Sequence, residues 1–288
     1  MSGALDPAGA GNSTRSARSG RVEERLAQHG GIVELLRIPA ALFAVVGGAR
    51  RALYDRGWLP RARLEAPVVS VGNLSAGGTG KTPMVAWLVR EFERRGRRVG
   101  IASRGYGARI GERNDEALLL AQLAPNAPHV LDHDRVRGGR ALVAQHVDVV
   151  VLDDGFQHRR LRRDLDLVLI DATQPWGLPG RSADAAPLLP RGLLREPPSA
   201  LARADVVVLT RADHARPADL VALRREIEMH APGVPLAIAW HRASRLRSLD
   251  GSCEALDLLH GREVDVVSAI GNPEAFERTL AALGARVG

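Results

Sequence analysis

Residues 67–83 read PVVSVGNLSAGGTGKTP. The apolar start, residues 67–72, predicts a short buried strand, and the glycine-rich stretch over residues 73–79 predicts a turn. Residues 83–95 carry apolar side chains at helical spacing, and Gly96 ends the predicted helix. A strand, a glycine loop, Lys-Thr and a helix form the order that a phosphate-binding P-loop requires. The stretch therefore predicts a loop that binds the phosphates of a nucleotide.

The residue types in this loop match the chemistry of phosphate binding. Glycines let backbone N–H groups close around phosphate oxygens, and the helix N-terminus adds its dipole. Lys81 would neutralise the β- and γ-phosphates, and Thr82 would offer its hydroxyl to Mg²⁺. Lysine and arginine together number 40, yet Lys81 is the only lysine, which indicates that chemistry selected it against the composition. The predicted nucleotide-binding residues are Ser75, Ala76, Gly77, Gly78, Thr79, Gly80, Lys81 and Thr82.

A second apolar run ends in paired carboxylates. Residues 149–152 are apolar, and Asp153-Asp154-Gly155 follows them directly. A P-loop protein needs a carboxylate at the end of another parallel strand to help hold Mg²⁺. We therefore predict a magnesium site formed by Thr82, Asp153 and Asp154, with two capping carboxylates in a turn as the alternative interpretation.

Strand and helix patterns alternate through the rest of the chain. The alternation predicts an α/β fold, a P-loop NTPase-like, doubly wound and mostly parallel sheet. Further strands are predicted over residues 98–102, 166–170 and 205–209, and helices over residues 134–146 and 217–229. Strands over residues 235–240 and 264–270 and a helix over residues 273–283 predict a smaller C-terminal α/β domain. We expect three regions, which are residues 1–62, a P-loop domain over residues 63–230, and the smaller domain over residues 231–288.

Composition narrows the class of protein. Hydrophobic residues make up 45% of the chain, which permits a sizeable core and excludes wholesale disorder. The net charge of +7 reflects an arginine bias, and aromatic residues reach only 3%, too few for the stacking that single-strand binders use. We therefore expect no nucleic-acid partner. Cys253 is the only cysteine, so no intramolecular disulfide is possible, as in a reducing cytoplasm.

The N-terminal region combines a polar tail with an amphipathic segment. Residues 1–20 are rich in Gly, Ala, Ser and Arg, which predicts a disordered tail. A helix is predicted over residues 39–58, where Leu42, Val46, Ala49 and Leu53 share one face. The apolar stretch is too short to span a bilayer, but a basic amphipathic helix can lie in a lipid interface. The alternative is that this helix packs on the main domain, and the sequence leaves both open.

Several motifs in one order resemble the tetraacyldisaccharide 4'-kinases of lipid A biosynthesis. The P-loop stretch is similar to theirs, with Ser75 where the general motif has a glycine. The most specific match is the DDGFQH stretch over residues 153–158. The other matching stretches are SRGYG over residues 103–107, LPRGLLREP over residues 189–197, and IGNP over residues 270–273. The resemblance covers nearly the whole chain, from about residue 30.

The resemblance implies a reaction, partners and a location. It implies transfer of the ATP γ-phosphate, with Mg²⁺, to the 4'-hydroxyl of an acylated glucosamine disaccharide 1-phosphate, which gives lipid IVA. It also implies a peripheral protein, expected as a monomer, on the cytoplasmic face of the bacterial inner membrane. Asp115 inherits the role of the family's catalytic aspartate, and Arg195 is a candidate to bind phosphate charge. The catalytic set is completed by Lys81, Asp154 and, as a residue lining the site, His158.

Two departures from the family pattern limit the resemblance. The aspartate stretch reads Asn114-Asp115-Glu116-Ala117 where the family has Gly-Asp-Glu-Pro. The chain ends at Gly288, before an Asp-His-His segment whose histidine assists the catalytic aspartate in the family. We therefore expect a C-terminal domain that is truncated relative to the family. A catalytically impaired lipid-binding relative is the corresponding alternative to an active kinase.

Other P-loop classes are weaker alternatives. A partitioning ATPase of the membrane-associated type has a signature lysine before the glycines, where this chain has Ala76. A GTPase would use residues 210–213, Thr-Arg-Ala-Asp, to recognise its base, but the usual Asn-Lys is absent. For Arg195, an ordinary surface ion pair with Glu196 is the alternative to a role in phosphate binding.

Overall fold

The computed structural model describes Leu26 and residues 31–105, 115–240, 242–268 and 273–288. The chain forms two compact units. The larger unit comprises Glu34–Ala239, and the smaller one is formed from both ends of the chain, Met1–Val33 and Trp240–Gly288.

The larger unit is built on seven parallel strands in the order β3-β2-β4-β1-β5-β6-β7. The central strands are apolar on both sides and fully buried, as a parallel sheet with both faces covered requires. Strand β1 lies between β4 and β5, with Val71 opposite Asp153 and Gly72 opposite Val168. The strands are β1 Val68–Asn73, β2 Val99–Ser103, β3 His129–Leu131, β4 Val149–Asp153, β5 Leu165–Asp171, β6 Val206–Thr210 and β7 Leu236–Ala239.

Helices cover the two faces of the sheet. Alternate residues of β1 enter different cores, since Val69 and Val71 pack with the helices after β1 and β2, whereas Val68 packs with the helix after β3. Those helices are α2 Lys81–Arg94, α3 Asp115–Leu123 and α4 Arg135–Val143, and α5 Pro217–His230 follows β6. Leu223 and Ile227 of α5 pack with Phe156 and Trp176 in a third cluster. The prediction of a doubly wound α/β fold is confirmed.

The structure corrects the sequence at three elements. Strand β3 and helix α3 are absent from the prediction, because each is short and carries no strong period. The strand predicted over residues 235–240 was assigned to the smaller domain, but its residues pair with β6 at the edge of the main sheet. Sequence periodicity can identify a strand but not the strand with which it pairs. The predicted strand is therefore present, but its assignment to the smaller domain was wrong.

The smaller unit contains two short strand pairs. Strands β8 Leu246–Arg247 and β9 Cys253–Glu254 are antiparallel, and β10 Glu263–Val264 pairs in parallel with β11 Arg286–Val287. Helix α6 spans Pro273–Ala282. The strand predicted over residues 264–270 is wrong beyond Val264 in the described part of the chain. Residues 269–272, which include the first three residues of the IGNP stretch, lie outside that part.

Helix α1, Arg37–Asp55, follows a 3₁₀ helix, Gly31–Leu36. Its inner side includes the buried residues Ala40 and Tyr54, so the helix packs as part of the larger unit, to which it belongs. Its other side leaves Leu42 and Val46 more than half exposed. The helix therefore packs on the domain and also presents an apolar face. Among the described residues no helix is both long and apolar enough to cross a membrane; the predicted tail, residues 1–20, lies outside them.

Candidate active site

The P-loop joins the carboxyl end of β1 to the first turn of α2. Gly80 is the residue before the helix and has a φ of 86°, a left-handed conformation that glycine adopts without steric cost. Because glycine has no side chain to cap the helix, the first amides of α2 remain available to a bound anion. Thr79 anchors the loop from the other side, since its carbonyl accepts a hydrogen bond from Thr210 Oγ1 at 2.9 Å.

Lys81 points back across the loop toward the strand ends. Its Nζ lies 3.3 Å from Asn73 Oδ1 and 3.7 Å from Asp154 Oδ1. The Lys81 side chain is largely enclosed, with 14% of its surface exposed. An enclosed ammonium beside a helix N-terminus that no side chain caps is the arrangement that neutralises phosphate charge.

Asp154 is held by two cationic side chains. Nη1 of Arg195 lies 2.9 Å from Oδ1 and 2.7 Å from Oδ2 of Asp154, and Lys81 approaches the same carboxylate. Burial alone would raise the pKa of Asp154, but Lys81 and Arg195 together hold it below its ordinary value. The backbone of Asp154 has a φ of 55°, an uncommon conformation that marks a constrained turn at the strand end. The alternative pairing of Arg195 with Glu196 is not observed, because Glu196 binds Arg203 at 3.0 Å.

Asp153 is the buried member of the carboxylate pair. Its Oδ1 is enclosed and has no hydrogen-bond partner among the described residues. Burial first, and the nearby charge of Glu116 second, raise the pKa of Asp153 to about 6. An enclosed carboxylate oxygen without a protein donor fits a cation ligand, and Thr82 lies in the adjacent first turn of α2. No cluster of three His, Cys, Asp or Glu side chains occurs in the described ranges, so a metal here would need further ligands.

Arg135 is a buried side chain at the site that sequence reasoning missed. It is the first residue of α4, and its guanidinium donates to the Asp132 carbonyl at 2.7 Å and approaches the Asp153 carbonyl at 3.4 Å. Burial lowers the pKa of Arg135, while the charges of Asp153 and Asp154 counteract the shift. The usable signal was topological: residues following β3 reach the same sheet edge as residues following β4.

The DDGFQH stretch forms the floor of the site. Gln157 Nε2 donates to the Asn73 carbonyl at 2.8 Å, which fixes the stretch to the start of the P-loop. Burial, followed by the charge of Arg135, lowers the pKa of His158 to about 4, so this imidazole is neutral near pH 7. His158 Nε2 is enclosed without a hydrogen-bond partner in the described residues. Gln157 was named only as part of the motif and had no predicted role.

Asp115 is placed at the first position of α3 and is exposed to solvent. Residues 106–114, which include the last two residues of the SRGYG stretch and the segment that follows it, lie outside the described residues. Its neighbour Glu116 is the carboxylate whose charge acts on Asp153. The described geometry therefore brings Glu116 into the electrostatics of the site and gives no contact between Asp115 and the strand-end cluster.

A loop from the sheet's other half closes over the P-loop. Ala76 N donates to the Leu193 carbonyl and Arg195 N donates to the Leu74 carbonyl, each at 2.7 Å. Ser75 and Leu194 form an antiparallel bridge between the two segments. This backbone pairing brings Arg195 next to Asp154. The LPRGLLREP stretch and the P-loop are therefore joined through their backbones.

Comparison with known proteins agrees with this geometry. The family model of the tetraacyldisaccharide-1-P 4'-kinases (LpxK) matches residues 32–288. The chain belongs to this family. A tetraacyldisaccharide 4'-kinase of Anaeromyxobacter dehalogenans is 43% identical over 272 residues, which cover 88% of this chain and 69% of the relative. One of Chromobacterium violaceum is 39% identical, covering 90% and 75%.

A solved structure of the same family is also similar. It is described as LpxK from Aquifex aeolicus in complex with ATP, with a TM-score of 0.70 and 32% identity. The match covers 89% of this chain and 80% of that chain. The predicted family and kinase activity are confirmed, and the ATPase and GTPase alternatives are not favoured. Arg211, within the 210–213 stretch of the GTPase alternative, forms an ion pair with Asp171.

Proposed function

We propose that this chain transfers the γ-phosphate of ATP to the 4'-hydroxyl of a tetraacylated glucosamine disaccharide 1-phosphate, forming lipid IVA. The observation that carries the proposal is the group formed by Lys81, Asp154 and Arg195 beside the first turn of α2, which no side chain caps. Phosphoryl transfer depends mainly on positioning and on neutralisation of charge, and this group supplies both.

Each residue of the site has a role in the proposal. Residues 75–82 surround the phosphates, and Lys81 neutralises charge on the β- and γ-phosphates. Thr82, Asp153 and Asp154 would hold Mg²⁺, which supplies additional positive charge to the phosphates when bound. Arg195 is released from Asp154 as phosphates enter and then stabilises charge that develops during transfer. Neutral His158 lines the floor of the site and carries no charge that would repel the lysine.

Asp115 is the proposed acceptor of the hydroxyl proton. Its support is the family motif and its place at the start of α3, where the helix dipole stabilises a carboxylate. Its solvent exposure is compatible with a substrate that arrives from outside the protein.

We further propose that the chain works as a peripheral protein on the cytoplasmic face of the inner membrane. The exposed apolar residues of α1, among them Ile38, Leu42, Val45 and Val46, support a helix that lies in a lipid interface. Arg50 and Arg56 beyond this face suit anionic headgroups. This orientation would place an acylated substrate beside the same unit that binds the nucleotide.

The direct test is incubation with γ-labelled ATP and the tetraacyl disaccharide 1-phosphate in phospholipid vesicles. Transfer of label to lipid, lost in Lys81→Ala, is the expected result. ATP binding without any transfer by the native chain would instead support the impaired lipid-binding relative. Transfer that persists at the native rate in Lys81→Ala would contradict the assignment of the site.

A further inference from the structure

Two buried arginines join α1 to the segments that form the phosphate site. Arg159 follows the DDGFQH stretch and Arg191 lies in the LPRGLLREP stretch, and both are about 5% exposed or less. Arg159 holds the C-terminal end of α1, and Arg191 holds the 3₁₀ helix that precedes it. The helix is therefore attached at both ends, once to the segment of Asp154 and once to the segment of Arg195.

The attachment by Arg159 uses three kinds of contact. Its Nη1 donates to the Arg51 carbonyl at 3.1 Å, and its Nη2 donates to Asp55 Oδ1 at 2.5 Å. Its guanidinium also lies 5.3 Å from the centre of the Tyr54 ring, within the range of a cation–π contact. A buried charge is stable only when it is paired in this way. Moving the last turn of α1 away would leave the charge of Arg159 buried and unpaired, so the turn is held against the loop.

The second attachment includes an ion pair at the opposite end. Arg191 Nη2 donates to Glu34 Oε1 at 2.9 Å, and the guanidinium side chain is only 5% exposed. Glu34 is also paired with Arg37, the first residue of α1. Since both ends are held, rotation of the helix about its own axis would break at least one of these pairs.

A chain of hydrogen bonds continues from α1 to the P-loop lysine. Arg50 Nη1 donates to the backbone carbonyl of Gln157 at 3.4 Å. The side-chain amide of Gln157, through Nε2, donates to the Asn73 carbonyl. The side chain of Asn73 accepts from Lys81 at 3.3 Å. The helix is thus connected through side chains and backbone to the group that faces the γ-phosphate.

We infer that Arg159 and Arg191 are positioning residues for the transfer step. They set the orientation of α1, and with it the height and direction from which a lipid hydroxyl at the membrane surface meets the γ-phosphate. The inference rests on the proposed function, because it requires a substrate presented at a lipid surface. Neither arginine touches substrate or nucleotide in this proposal; each acts through α1. A displacement of only an ångström between reacting groups is enough to cost about 100-fold in rate.

The test compares two substrates in Arg159→Ala and Arg191→Ala. One is the acylated disaccharide in phosphatidylglycerol-containing vesicles, and the other is a water-soluble short-chain analogue that needs no surface. We expect turnover on vesicles to fall about tenfold or more, while turnover on the soluble analogue and affinity for ATP change by less than about threefold. Equal losses on both substrates, or no loss on either, would overturn the inference.

Matched variants keep this test decisive. Arg160→Ala is the control, because Arg160 is the exposed neighbour of Arg159 and pairs with Asp134 at the surface. It should behave as the native chain on both substrates. If Arg159→Ala does not fold, Asp55→Ala breaks the same pair from its exposed side, where 57% of the side chain is accessible. In Asp55→Ala, turnover should fall on vesicles and not on the soluble analogue. Native turnover on vesicles in this variant would count against the inference.

A further measurement separates this inference from the proposed function. If the native chain phosphorylates neither substrate, the proposed function fails, but the attachment of α1 can still be measured by hydrogen exchange. Backbone amides over residues 50–56 should exchange slowly in the native chain and at least about tenfold faster in Asp55→Ala. Unchanged exchange in that variant would overturn the attachment whatever the activity.

Discussion

Nη1 of Arg195 lies within hydrogen-bond distance of both oxygens of Asp154, at 2.9 and 2.7 Å. Asp154 also faces Lys81, so one carboxylate is shared by Lys81 and Arg195. The pair holds the LPRGLLREP loop against the end of β4. It also sets the charge balance that entering phosphates must change.

Loss of Arg195 should impair transfer more than nucleotide binding. In Arg195→Ala we expect kcat to fall by about 100- to 1,000-fold, because a positive group directed at developing charge is lost. The KM for ATP should change little, since Lys81 and the loop amides remain. Steady-state kinetics with labelled ATP measures both constants. A variant with native kcat and a raised KM would instead make Arg195 a residue for ground-state binding.

Lys81→Arg tests why the chain has a lysine at this one position. The planar guanidinium is larger than the ammonium and would not fit a side-chain site that is 14% exposed. We expect a loss of transfer of about 100-fold or more, with thermal unfolding within a few degrees of the native chain. A transfer assay checks the expected loss of activity, and a calorimetric scan of the same sample checks that thermal unfolding is nearly unchanged. Full activity of Lys81→Arg would show that charge alone is sufficient.

Two glycines, Gly72 on strand β1 and Gly77 in the P-loop, should separate folding from binding. A Cβ at Gly72 would lie 2.5 Å from Phe156 Cβ and 2.8 Å from its backbone nitrogen, so Gly72→Ala should destabilise the protein by about 1–3 kcal/mol. A Cβ at Gly77 meets no atom within 4 Å, so Gly77→Ala should fold normally and yet weaken ATP binding by entering the phosphate space. Urea unfolding and ATP titration measure the two effects. Equal stability of both variants would contradict the close approach at Gly72.

The raised pKa of Asp153 predicts a pH dependence of stability. With a pKa of about 6 in the folded protein and 3.8 as the ordinary value, the folded state binds more protons between these pH values. The contribution of Asp153 to stability is therefore present at low pH and is lost as pH rises to about 6, by at most about 3 kcal/mol. Asp153→Asn should thus become progressively more stable than the native chain across this window, in urea unfolding without Mg²⁺.

His158 provides a control, because the shift of its pKa predicts a change of stability with pH that is opposite to the change predicted for Asp153. Its pKa of about 4 in the folded protein is below the ordinary 6.5, so its contribution is present at neutral pH and is lost as pH falls through this range. His158→Gln should therefore lose stability relative to the native chain as pH rises. If both variants shift in the same direction, the pKa of at least one group is not perturbed as the structure indicates.

The apolar face of α1 should determine attachment to lipid. Leu42→Glu combined with Val46→Glu places two carboxylates on a face that is more than half exposed, so the fold should tolerate them. We expect binding to anionic vesicles to fall by about tenfold or more, since each charge opposes insertion. Val221→Glu on α5, also about half exposed, is the control and should bind as the native chain. Sedimentation with vesicles that is unchanged in the double variant would contradict the proposed orientation.

The sequence motifs predicted some residues of the site and missed others. The order of strand, loop and helix located Lys81 because a P-loop is a local structure, formed by consecutive residues. The paired carboxylates were also found from a local pattern, since a buried strand directly precedes them. Arg135 and Glu116 were missed, because each comes from a separate helix and reaches the site only when the sheet brings strand ends together. The role of Asp115 stays a prediction.

The sequence by itself determined which chemistry is available: a glycine loop with one lysine, two adjacent carboxylates, and a doubly wound order of strands and helices. These properties follow from residue type and short-range spacing, which the chain carries before it folds. Only the tertiary structure decided which charges face each other. Arg195 and Asp154 are 41 residues apart, and their contact exists because the Leu193 and Leu74 carbonyls accept backbone hydrogen bonds that join two distant loops. Long-range pairing of this kind depends on sheet order, and no spacing in the sequence specifies it.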